Sequence, residues 1–401
     1  MVAVLAWPDR AAVMSTAPLD PDEVRACLAG NGTMLPGPAY TDSSVLAWEQ
    51  KVIFAGGWTC VGRAADLAEP GTRRAVRTGD DAVLLVRGDD GVLRGFYNVC
   101  RHRGHELMPC GETGRGRFVA CPYHSWVYAL DGALHKVPSA HRAGVDVAEI
   151  GLVPVAVTEW HGFVFVNADG RAAPFEEYAR GLDELVAPYR CANLVVAAGH
   201  EYELAANWKL AIENYHECYH CSTIHPELCR VSPPESGVNY IPDGLWIGGV
   251  MDLVDDAQTM SLDGRSGAAP LPGLTGARLR QVAYLQVVPN LLLSLHPDYV
   301  MTHVLEPLAP GRTRVVCQWL FDPGAVRADG FDPAYAVDFW DLTNRQDWAA
   351  CEGVQRGVAS RGYIPGPLSP WHESAVYQAM AVVAQAYLSG RLPDNAAALP
   401  R

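Results

Sequence analysis

Residues 214–226 have the sequence Asn214-Tyr215-His216-Glu217-Cys218-Tyr219-His220-Cys221-Ser222-Thr223-Ile224-His225-Pro226, which carries a candidate metal site. In a helix, Glu217 and His220 share one face because they are three residues apart. His220 and His225 are five apart, which turns them roughly 140° from each other in a straight helix. Pro226 disfavours helical geometry at His225. The sequence therefore predicts a helix that ends just after His220, and then a bend that returns His225 to its side.

Two imidazoles placed side by side can bind Fe(II) together with one carboxylate, in an arrangement that leaves positions open for oxygen. The alternative interpretation of His220 and His225 is a pair of surface or structural histidines. We look for the acid on a long helix predicted from about Tyr335 to Ser360. One stripe of this helix has spacings of 3, 4, 4 and 3 residues, and its members are Trp340, Thr343, Asp347, Cys351 and Val354.

Asp347 is the lone charge in this stripe. A buried carboxylate is costly unless it is paired or bound to a metal, so Asp347 is the predicted third iron ligand. The alternative role for Asp347 is a buried acid bonded to an arginine or to the backbone. Asp341 and Glu352 are the next candidate ligands, although they belong to an offset, mostly polar stripe that is expected to face water.

A second candidate metal cluster consists of Cys100, His102, Cys121 and His124. The pattern is Cys-x-His, a gap of 18 residues and then Cys-x-x-His, which predicts two loops facing each other across a hairpin. Two thiolates and two imidazoles can hold zinc or a [2Fe–2S] centre. A zinc finger groups its cysteines apart from its histidines. Each loop here mixes the two residue types, which favours a Rieske [2Fe–2S] centre over zinc.

The chain of 401 residues is 49% hydrophobic and 19% charged, which is typical of a soluble globular protein. It has no apolar run of the ~18 residues that span a membrane, and no basic region precedes its short apolar start. We therefore expect an unprocessed cytoplasmic chain. The net charge of −14 argues against nucleic acid and anionic membranes as partners. The 11 cysteines are expected to be reduced, with Cys218 and Cys221 either packing beside the iron site or acting as extra ligands.

The succession of short strands and helices predicts an α+β protein. Residues 1–45 are expected to pack on the catalytic domain, with a helix capped by Asp20 and a loop over 31–45. Residues 46–167 show short strands split by turns, which predicts a small antiparallel β domain around the Cys/His cluster. Residues 168–401 predict a catalytic domain in which helices cover one antiparallel sheet. Within it, residues 171–190 are expected to be helical, and residues 255–276 are expected to form a loop or lid.

Together the two motifs resemble those of the oxygenase (α) subunits of Rieske non-heme iron oxygenases, over roughly residues 46–380. The resemblance implies a helix-grip (START-like) catalytic domain. It implies that Glu217 bridges the two metal centres across a subunit boundary, and hence a homotrimer. Family members most often have Asp at that position, and the Glu is associated with the branch that acts on quaternary amines. Ser125 replaces a common Gly. The implied ligands are Cys100, His102, Cys121 and His124 for the [2Fe–2S] cluster, and His220, His225 and Asp347 for Fe(II).

Four further segments resemble the glycine betaine monooxygenase and stachydrine demethylase group: 213–221, 259–264, 288–299 and 361–369. This implies oxidative N-demethylation of a betaine-type small molecule with O2. Electrons would come from NAD(P)H through a separate reductase, with or without a ferredoxin, because the chain has no convincing nucleotide-binding fingerprint. Hydroxylation or dioxygenation of an aromatic or natural-product substrate is one alternative. A non-catalytic metal-binding or electron-transfer protein is the other.

A quaternary ammonium group is expected to bind among aromatic rings. The candidate residues are Tyr240, Trp246, Tyr284, Trp319, Tyr363 and Trp371, for each of which core packing is the alternative. His296 and His303 lie on neighbouring strand segments, and each either contacts the substrate or belongs to the core.

Overall fold

The computed structural model describes residues 15–138 and 149–396, so the N-terminal residues predicted to lack a signal peptide lie outside the described part. The described part begins with helices α1 (Pro21–Cys27), α2 (Pro38–Thr41) and α3 (Ser43–Glu49), followed by a π-helical turn (Gln50–Phe54). The strands described next are β1 (Thr59–Arg63), β2 (Thr72–Thr78), β3 (Asp81–Arg87), β4 (Leu93–Tyr97), β5 (Thr113–Arg115), β6 (Val119–Ala120), β7 (Val127–Tyr128), β8 (Leu134–Lys136), β9 (Pro154–Trp160) and β10 (Phe163–Asn167).

The remaining elements form the larger half of the protein. The helices are α4 (Phe175–Tyr178), α5 (Asp183–Val186), α6 (Trp208–Tyr215), α7 (Cys221–Ile224), α8 (Pro226–Val231), α9 (Pro323–Val326), α10 (Ala334–Val358) and α11 (Ser374–Ser389). The strands are β11 (Val195–Leu204), β12 (Val238–Asn239), β13 (Trp246–Asp252), β14 (Gln281–Val287), β15 (Leu291–Leu295), β16 (Val300–Ala309) and β17 (Arg312–Phe321).

The first half is built on an antiparallel sheet with the strand order β1-β10-β9-β4-β3-β2-β5. A smaller sheet, β6-β7-β8, lies beside it and shares a core with it. The loop that carries Cys100 follows β4, and the loop that carries Cys121 connects β6 to β7. Both cysteines belong to this shared core, which fixes the position of the two loops.

The second half is built on one antiparallel sheet with the order β11-β17-β16-β15-β14-β13-β12. Helix α6 contacts both α10 and α11, and these helices pack on the sheet. The α+β architecture with a helix-covered antiparallel sheet is thus confirmed. The boundaries of the three predicted units, 1–45, 46–167 and 168–401, stay a prediction.

Several helix predictions can be compared with the observed bounds. Helix α1 begins after Asp20, whose Oδ1 accepts a hydrogen bond from Asp22 N at 2.8 Å. The predicted long helix is α10. The predicted loop over 31–45 is wrong in part, because Pro38 occupies the first position of α2 and Asp42 caps α3. These are helix-start residues within a stretch that otherwise favours loop.

Two further predicted segments, 171–190 and 255–276, also differ from the structure. Residues 171–190 form two short helices, separated by Gly181 at φ 79°. Most of the stretch 255–276 is loop, as expected, but none of its residues lines the cavity that lies beside the candidate iron site. Thr259 and Ser266 instead donate hydrogen bonds to the buried Asp298 carboxylate at 2.6 and 2.5 Å. The interpretation of this stretch as a lid is therefore wrong.

Helix α11 is the most apolar of the long helices, and most of its 16 residues are buried against the rest of the protein. Its apolar character reflects this burial, since α11 contacts α1 on one side and α6 on another. Within residues 15–138 and 149–396, no helix is long and apolar enough to cross a membrane.

A buried ion pair connects the end of α3 to helix α6. Lys209 Nζ lies 2.6 Å from Glu49 Oε1, and both side chains are fully buried. Glu49 also accepts hydrogen bonds from Trp208 Nε1 at 2.8 Å and from the Tyr387 hydroxyl. We expect Lys209→Met to lower the free energy of unfolding by about 3–5 kcal/mol, because it leaves a buried carboxylate without its cation.

Urea denaturation followed by circular dichroism will measure this loss. The matched control is Arg25→Met, which breaks an exposed ion pair of the same 2.6 Å length with Asp22. An exposed pair contributes little, so the control is expected to unfold like the wild type. Equal stability of the two variants would contradict the importance of the buried pair.

Glu213, one turn further along α6, makes the stability depend on pH. The Tyr40 hydroxyl donates to Glu213 Oε1 at 2.7 Å, and burial raises the pKa of Glu213 from 4.5 to about 8. The folded protein therefore keeps a proton that the unfolded chain loses between these values, and stability falls as the pH rises through this window. We expect Glu213→Gln to flatten the decline in Tm between about pH 5 and 8, as measured by thermal unfolding. Parallel curves for variant and wild type would disprove this assignment.

Candidate functional site

The turn around residues 216–220 differs from the predicted helix. Helix α6 ends at Tyr215, and His216 has the cap dihedrals φ −93° and ψ 9°. The Glu217 carboxylate accepts hydrogen bonds from the backbone N–H groups of Tyr219 and His220, the latter at 3.1 Å. This local bonding competes with continued helix, so the chain turns earlier than helical periodicity indicates. His220 and His225 then flank the short helix α7.

The turn brings the two predicted histidines to the predicted acid on α10. Asp347 Oδ1 lies 2.8 Å from His225 Nε2 and 3.4 Å from His220 Nε2. One ligand atom from each of the three residues lies within 4.8 Å of the others. Two imidazole nitrogens and one carboxylate oxygen at one point are the donor set of a mononuclear Fe(II) site. The residues present therefore fit this metal.

Each of the three candidate ligands is held by a neighbouring side chain. His225 Nδ1 donates to Gln346 Oε1 at 2.7 Å, and His220 Nδ1 contacts the Glu217 carboxylate. Asn214 Nδ2 donates to Asp347 Oδ1 at 3.0 Å. With Nδ1 occupied in this way, the Nε2 lone pair of each imidazole is directed at the metal position.

The charge state of Asp347 is also suited to a metal. Burial opposes ionisation of Asp347, but with no metal bound the protonated imidazoles of His220 and His225 outweigh it, through hydrogen bonds and charge, and lower the pKa of Asp347. A bound metal takes the place of the two Nε2 protons. The two alternative acids are engaged elsewhere: Asp341 accepts from the Tyr202 hydroxyl at 2.8 Å, and Glu352 accepts from Ala205 N at 3.1 Å. Neither belongs to the group of residues that could share a metal.

The Cys/His cluster residues lie at the tips of two equivalent turns. Gly104 N donates to Cys100 O at 3.0 Å, and Ser125 N donates to Cys121 O at 3.1 Å. Ser125 has φ 57°, a left-handed conformation that explains why the resembled family favours Gly there. In this protein Ser125 adopts the left-handed conformation in the second turn.

The four candidate cluster ligands form one group. The sulfurs are buried, with Cys100 and Cys121 each 2% exposed, whereas the imidazoles of His102 and His124 are half-buried with ring centroids 4.5 Å apart. Two buried cysteine sulfurs and two partly accessible imidazoles are the donor set of a [2Fe–2S] centre with mixed ligands.

Two residues that the sequence did not single out support this group. Trp126 stacks on the His102 ring at 4.8 Å, and the Tyr128 hydroxyl lies 3.2 Å from Cys100 Sγ. Tyr128 also accepts a hydrogen bond from Arg101 N at 3.0 Å. Their only signal in the sequence is their position just after Cys121-x-x-His124.

The two cysteines beside the iron motif are not free thiols. Cys218 and Cys221 form a disulfide with a Cα–Cα distance of 4.9 Å. The turn that ends α6 early brings them this close, within the range that a disulfide bridges. The expectation of reduced thiols or extra ligands at these positions is therefore wrong.

A cavity of about 370 Å³ opens beside His220, His225 and Asp347. Its walls are the face of α10 on one side and strands β14, β15 and β16 on the other. Of the aromatic residues predicted to contact substrate, Tyr284 and Trp371 line it. His303 also lines it, whereas His296 is buried against Tyr299 at a ring distance of 4.0 Å.

The other four predicted substrate residues lie elsewhere in the described structure. Trp246 donates to Arg180 O at 2.7 Å, and Tyr240 packs beside it. Trp319 is fully buried next to His200, and the Tyr363 hydroxyl donates to Leu35 O at 2.9 Å. All four pack in or against the hydrophobic core: Trp246 and Trp319 are buried, and Tyr240 and Tyr363 are partly buried. Local sequence does not reveal this placement.

Four of the aromatic residues that line the cavity were not predicted. These are Tyr215, Tyr219, Trp340 and Trp348. Trp340 was recognisable, since it shares a helical stripe with Asp347. Trp348 directly follows Asp347, but periodicity placed it on the polar side of the helix; it is half-buried.

Comparison with known protein families identifies a domain in each half of the chain. Residues 57–154 match the Rieske [2Fe-2S] domain, and residues 191–389 match the ring hydroxylating alpha subunit (catalytic domain). The chain is 33% identical over 371 residues to the glycine betaine monooxygenase oxygenase subunit of Chromohalobacter salexigens, covering 85% of this chain and 83% of that protein.

Two further comparisons are informative. The carnitine monooxygenase oxygenase subunit of Escherichia coli is 40% identical over 195 residues, which cover 48% of this chain and 52% of that one. The crystal structure of the quaternary ammonium Rieske monooxygenase CntA with an inhibitor superposes with a TM-score of 0.77 at 26% identity, covering 93% of this chain and 99% of that chain.

A [2Fe–2S] domain joined to a helix-covered iron domain defines the terminal component of an oxygenase system, the one that reacts with O2. The chain belongs to the Rieske non-heme iron oxygenases, as their oxygenase (α) subunit. It is thus an oxidoreductase whose cofactors are a [2Fe–2S] cluster and a mononuclear iron, and which receives electrons from a reductase. The resemblance drawn from the motifs is confirmed, and the zinc and non-catalytic alternatives are set aside.

Proposed function

We propose that this oxygenase removes a methyl group from a quaternary-ammonium substrate by oxidation. The observation that supports this most directly is the aromatic character of the cavity beside the iron ligands. Tyr284, Trp340 and Trp348 contribute rings to it, and Glu235 contributes a carboxylate outside the group of metal ligands. Aromatic faces and carboxylates attract a desolvated cation. Relatives that are named for glycine betaine and carnitine support the same substrate class.

The residues take the following roles in this proposal. Cys100, His102, Cys121 and His124 hold the [2Fe–2S] cluster, and His220, His225 and Asp347 hold the mononuclear iron. When bound, this iron supplies open positions at which O2 is activated. The aromatic walls hold the ammonium group so that one methyl faces the iron ligands, and they keep bulk water out of the cavity.

The reaction balances with two electrons and two protons for each O2. One oxygen atom enters a C–H bond of the methyl group and the other leaves as water. The resulting N-hydroxymethyl group loses its O–H proton and breaks its C–N bond, so the electron pair returns to nitrogen and formaldehyde departs. Glu217 and Asp347 keep their positions throughout the reaction, because Glu217 contacts His220 and Asp347 accepts a hydrogen bond from Asn214.

We also propose a homotrimer in which Glu217 connects the iron of one subunit to the cluster of the next. The cavity mouth exposes Tyr219, Val238 and Trp371, the last 88% exposed. The tip of the cluster domain exposes Val99, Phe118 and Tyr123 beside Arg101 and Arg103. Large exposed apolar side chains on two distant surfaces favour an interface between them.

Charge supports the same head-to-tail contact. Residues 57–154 carry 12 Arg and Lys against 11 Asp and Glu, whereas the rest of the chain carries 19 against 34. A near-neutral domain with arginines at its tip is therefore complementary to the acidic remainder of a neighbouring copy. We expect sedimentation equilibrium to give three times the mass of the chain, and a monomer at micromolar concentration would contradict the assembly. The cytoplasmic location stays a prediction.

The proposed reaction is tested by reconstitution with a surrogate reductase and NADH. Quaternary amines are expected to stimulate O2 uptake and to release one formaldehyde for each O2 consumed. Benzoate-type and other small aromatic acids are the comparison substrates. Hydroxylated aromatic products without formaldehyde would replace the demethylase assignment by the aromatic hydroxylase alternative.

A further inference from the structure

We propose that the Tyr284 hydroxyl binds an uncharged oxygen of the substrate, so that the substrate is a quaternary amine bearing a hydroxyl, ether or ester group and no free carboxylate. This inference rests on the proposed demethylase function and narrows its substrate class. It distinguishes a purely cationic substrate from a zwitterion such as a betaine.

The Tyr284 hydroxyl is a buried polar group with nothing to bind. It is shielded from solvent, and no group among the described residues lies within hydrogen-bond distance of it. Its neighbour Tyr215 differs, because the Tyr215 hydroxyl donates to Leu293 O at 2.8 Å and lies 3.1 Å from Ser294 Oγ. A buried hydroxyl without a partner destabilises a protein. A ligand in the cavity is the natural partner for Tyr284.

The position of Tyr284 suits a substrate-binding group. It lies on β14, in the wall opposite α10, and it lines the same cavity as the iron ligands. Its ring meets Tyr215 and Trp340 edge to face, with centroids 6.0 and 6.3 Å away. The hydroxyl is therefore a neutral hydrogen-bond donor that is surrounded by aromatic rings. An oxygen atom of the substrate can bind to it while the ammonium group faces the rings.

The charges around the cavity exclude a good site for a carboxylate. Glu217, Glu235 and Asp347 line it, and none of its described lining residues is lysine or arginine. The two charges of a bound Fe(II) are offset by Asp347 and Glu217, which leaves no surplus of positive charge. A buried anion without a cationic partner is strongly disfavoured. An uncharged oxygen needs only a neutral donor.

A second unpartnered donor has the same character. Trp348 Nε1 is buried, lines the cavity and has no hydrogen-bond partner among the described residues. The cavity thus offers its substrate neutral N–H and O–H donors and no cation. This combination selects acceptor oxygens by hydrogen bonding and discriminates against net negative charge.

The test measures ligand binding to the holoenzyme by calorimetry, with two matched pairs of ligands. Glycine betaine methyl ester and glycine betaine differ in one negative charge, and choline and ethyltrimethylammonium differ in one hydroxyl. We expect the ester to bind at least 10-fold more tightly than glycine betaine. Tyr284→Phe is expected to weaken binding of choline and of the ester by about 3- to 12-fold, the value of one hydrogen bond, and that of ethyltrimethylammonium by less than 2-fold.

Tyr240→Phe is the control, since it deletes the same hydroxyl from a half-buried tyrosine outside the cavity and is expected to leave all four affinities unchanged. The Tm of Tyr284→Phe should equal or exceed that of the wild type, because a partnerless hydroxyl is removed. Tighter binding of glycine betaine than of its ester would overturn the inference alone. Equal weakening of all ligands by Tyr284→Phe would make Tyr284 a structural residue and also overturn it. Binding of none of the four would remove the proposed function as well.

Discussion

Replacing Asp347 with alanine is expected to remove the mononuclear iron and to abolish turnover while the [2Fe–2S] cluster stays in place. His220 and His225 both direct Nε2 at Asp347 Oδ1, within 3.4 Å. Without the carboxylate, two neutral imidazoles are left to hold a hard divalent ion. We expect a loss of turnover well beyond the roughly 10- to 100-fold typical of residues that only support a ligand.

Iron analysis and absorption spectroscopy of the purified variant measure this effect. The expected iron content falls by the one mononuclear iron per chain, whereas the visible spectrum of the cluster is unchanged. Asp341→Ala is the matched control, because Asp341 lies on the same helix and bonds to Tyr202 and Arg345 instead. Retained iron and turnover in Asp347→Ala would show that another acid completes the site.

Glu217→Gln is expected to slow turnover by about 100-fold while both metal centres remain bound. The Glu217 carboxylate contacts His220 Nδ1, so one of its oxygens already contacts a predicted ligand of the mononuclear iron, at one end of the proposed electron path. In the proposed trimer, its other side accepts from His124 of the partner subunit. An amide keeps the size of the side chain but lacks the charge and the second acceptor, so it cannot bridge two imidazoles.

A single-turnover experiment separates this effect from loss of iron. The cluster is reduced first, and its reoxidation is then followed in the presence of O2 and substrate. The variant cluster should stay reduced about 100 times longer than that of the wild type. Glu227→Gln, on the adjoining helix α8 and paired with Arg230 at 3.6 Å, serves as the control. Wild-type reoxidation in Glu217→Gln would eliminate the bridge.

The success of the sequence-based predictions depended on how local the governing interactions are. Asp347 could be found because helical periodicity placed a lone acid in an apolar stripe, and the stripe holds as far as Cys351, failing only at Val354, which is 44% exposed. The end of α6 could not be found in that way. It depends on the Glu217 side chain bonding to backbone N–H groups, a competition that residue spacing does not encode.

The predicted substrate-binding residues show most clearly where prediction from local sequence fails. Tyr284 and Trp319 look alike in sequence, since both are aromatic residues within apolar strands, yet one lines the cavity and the other is fully buried beside His200. Strand pairing puts Tyr284, Met301 and Trp319 in one row on the same face of the sheet, so their difference is set by the strand that carries each, β14 beside the cavity or β17 near the edge of the sheet. Tertiary packing of this kind cannot be derived from local pattern.

Helices form one wall of the cavity and the sheet forms the other, and the two walls carry different groups of functional residues. Helices α6, α7 and α10 provide or flank the metal-binding residues, and α10 also contributes the rings of Trp340 and Trp348. Tyr284, Met301 and His303, which are not among the metal ligands of the proposed site, project from strands β14 and β16. Directed evolution can therefore vary the strand residues in small libraries to change the substrate range. The metal-binding residues on the helical side, and with them the reaction with oxygen, are left unchanged.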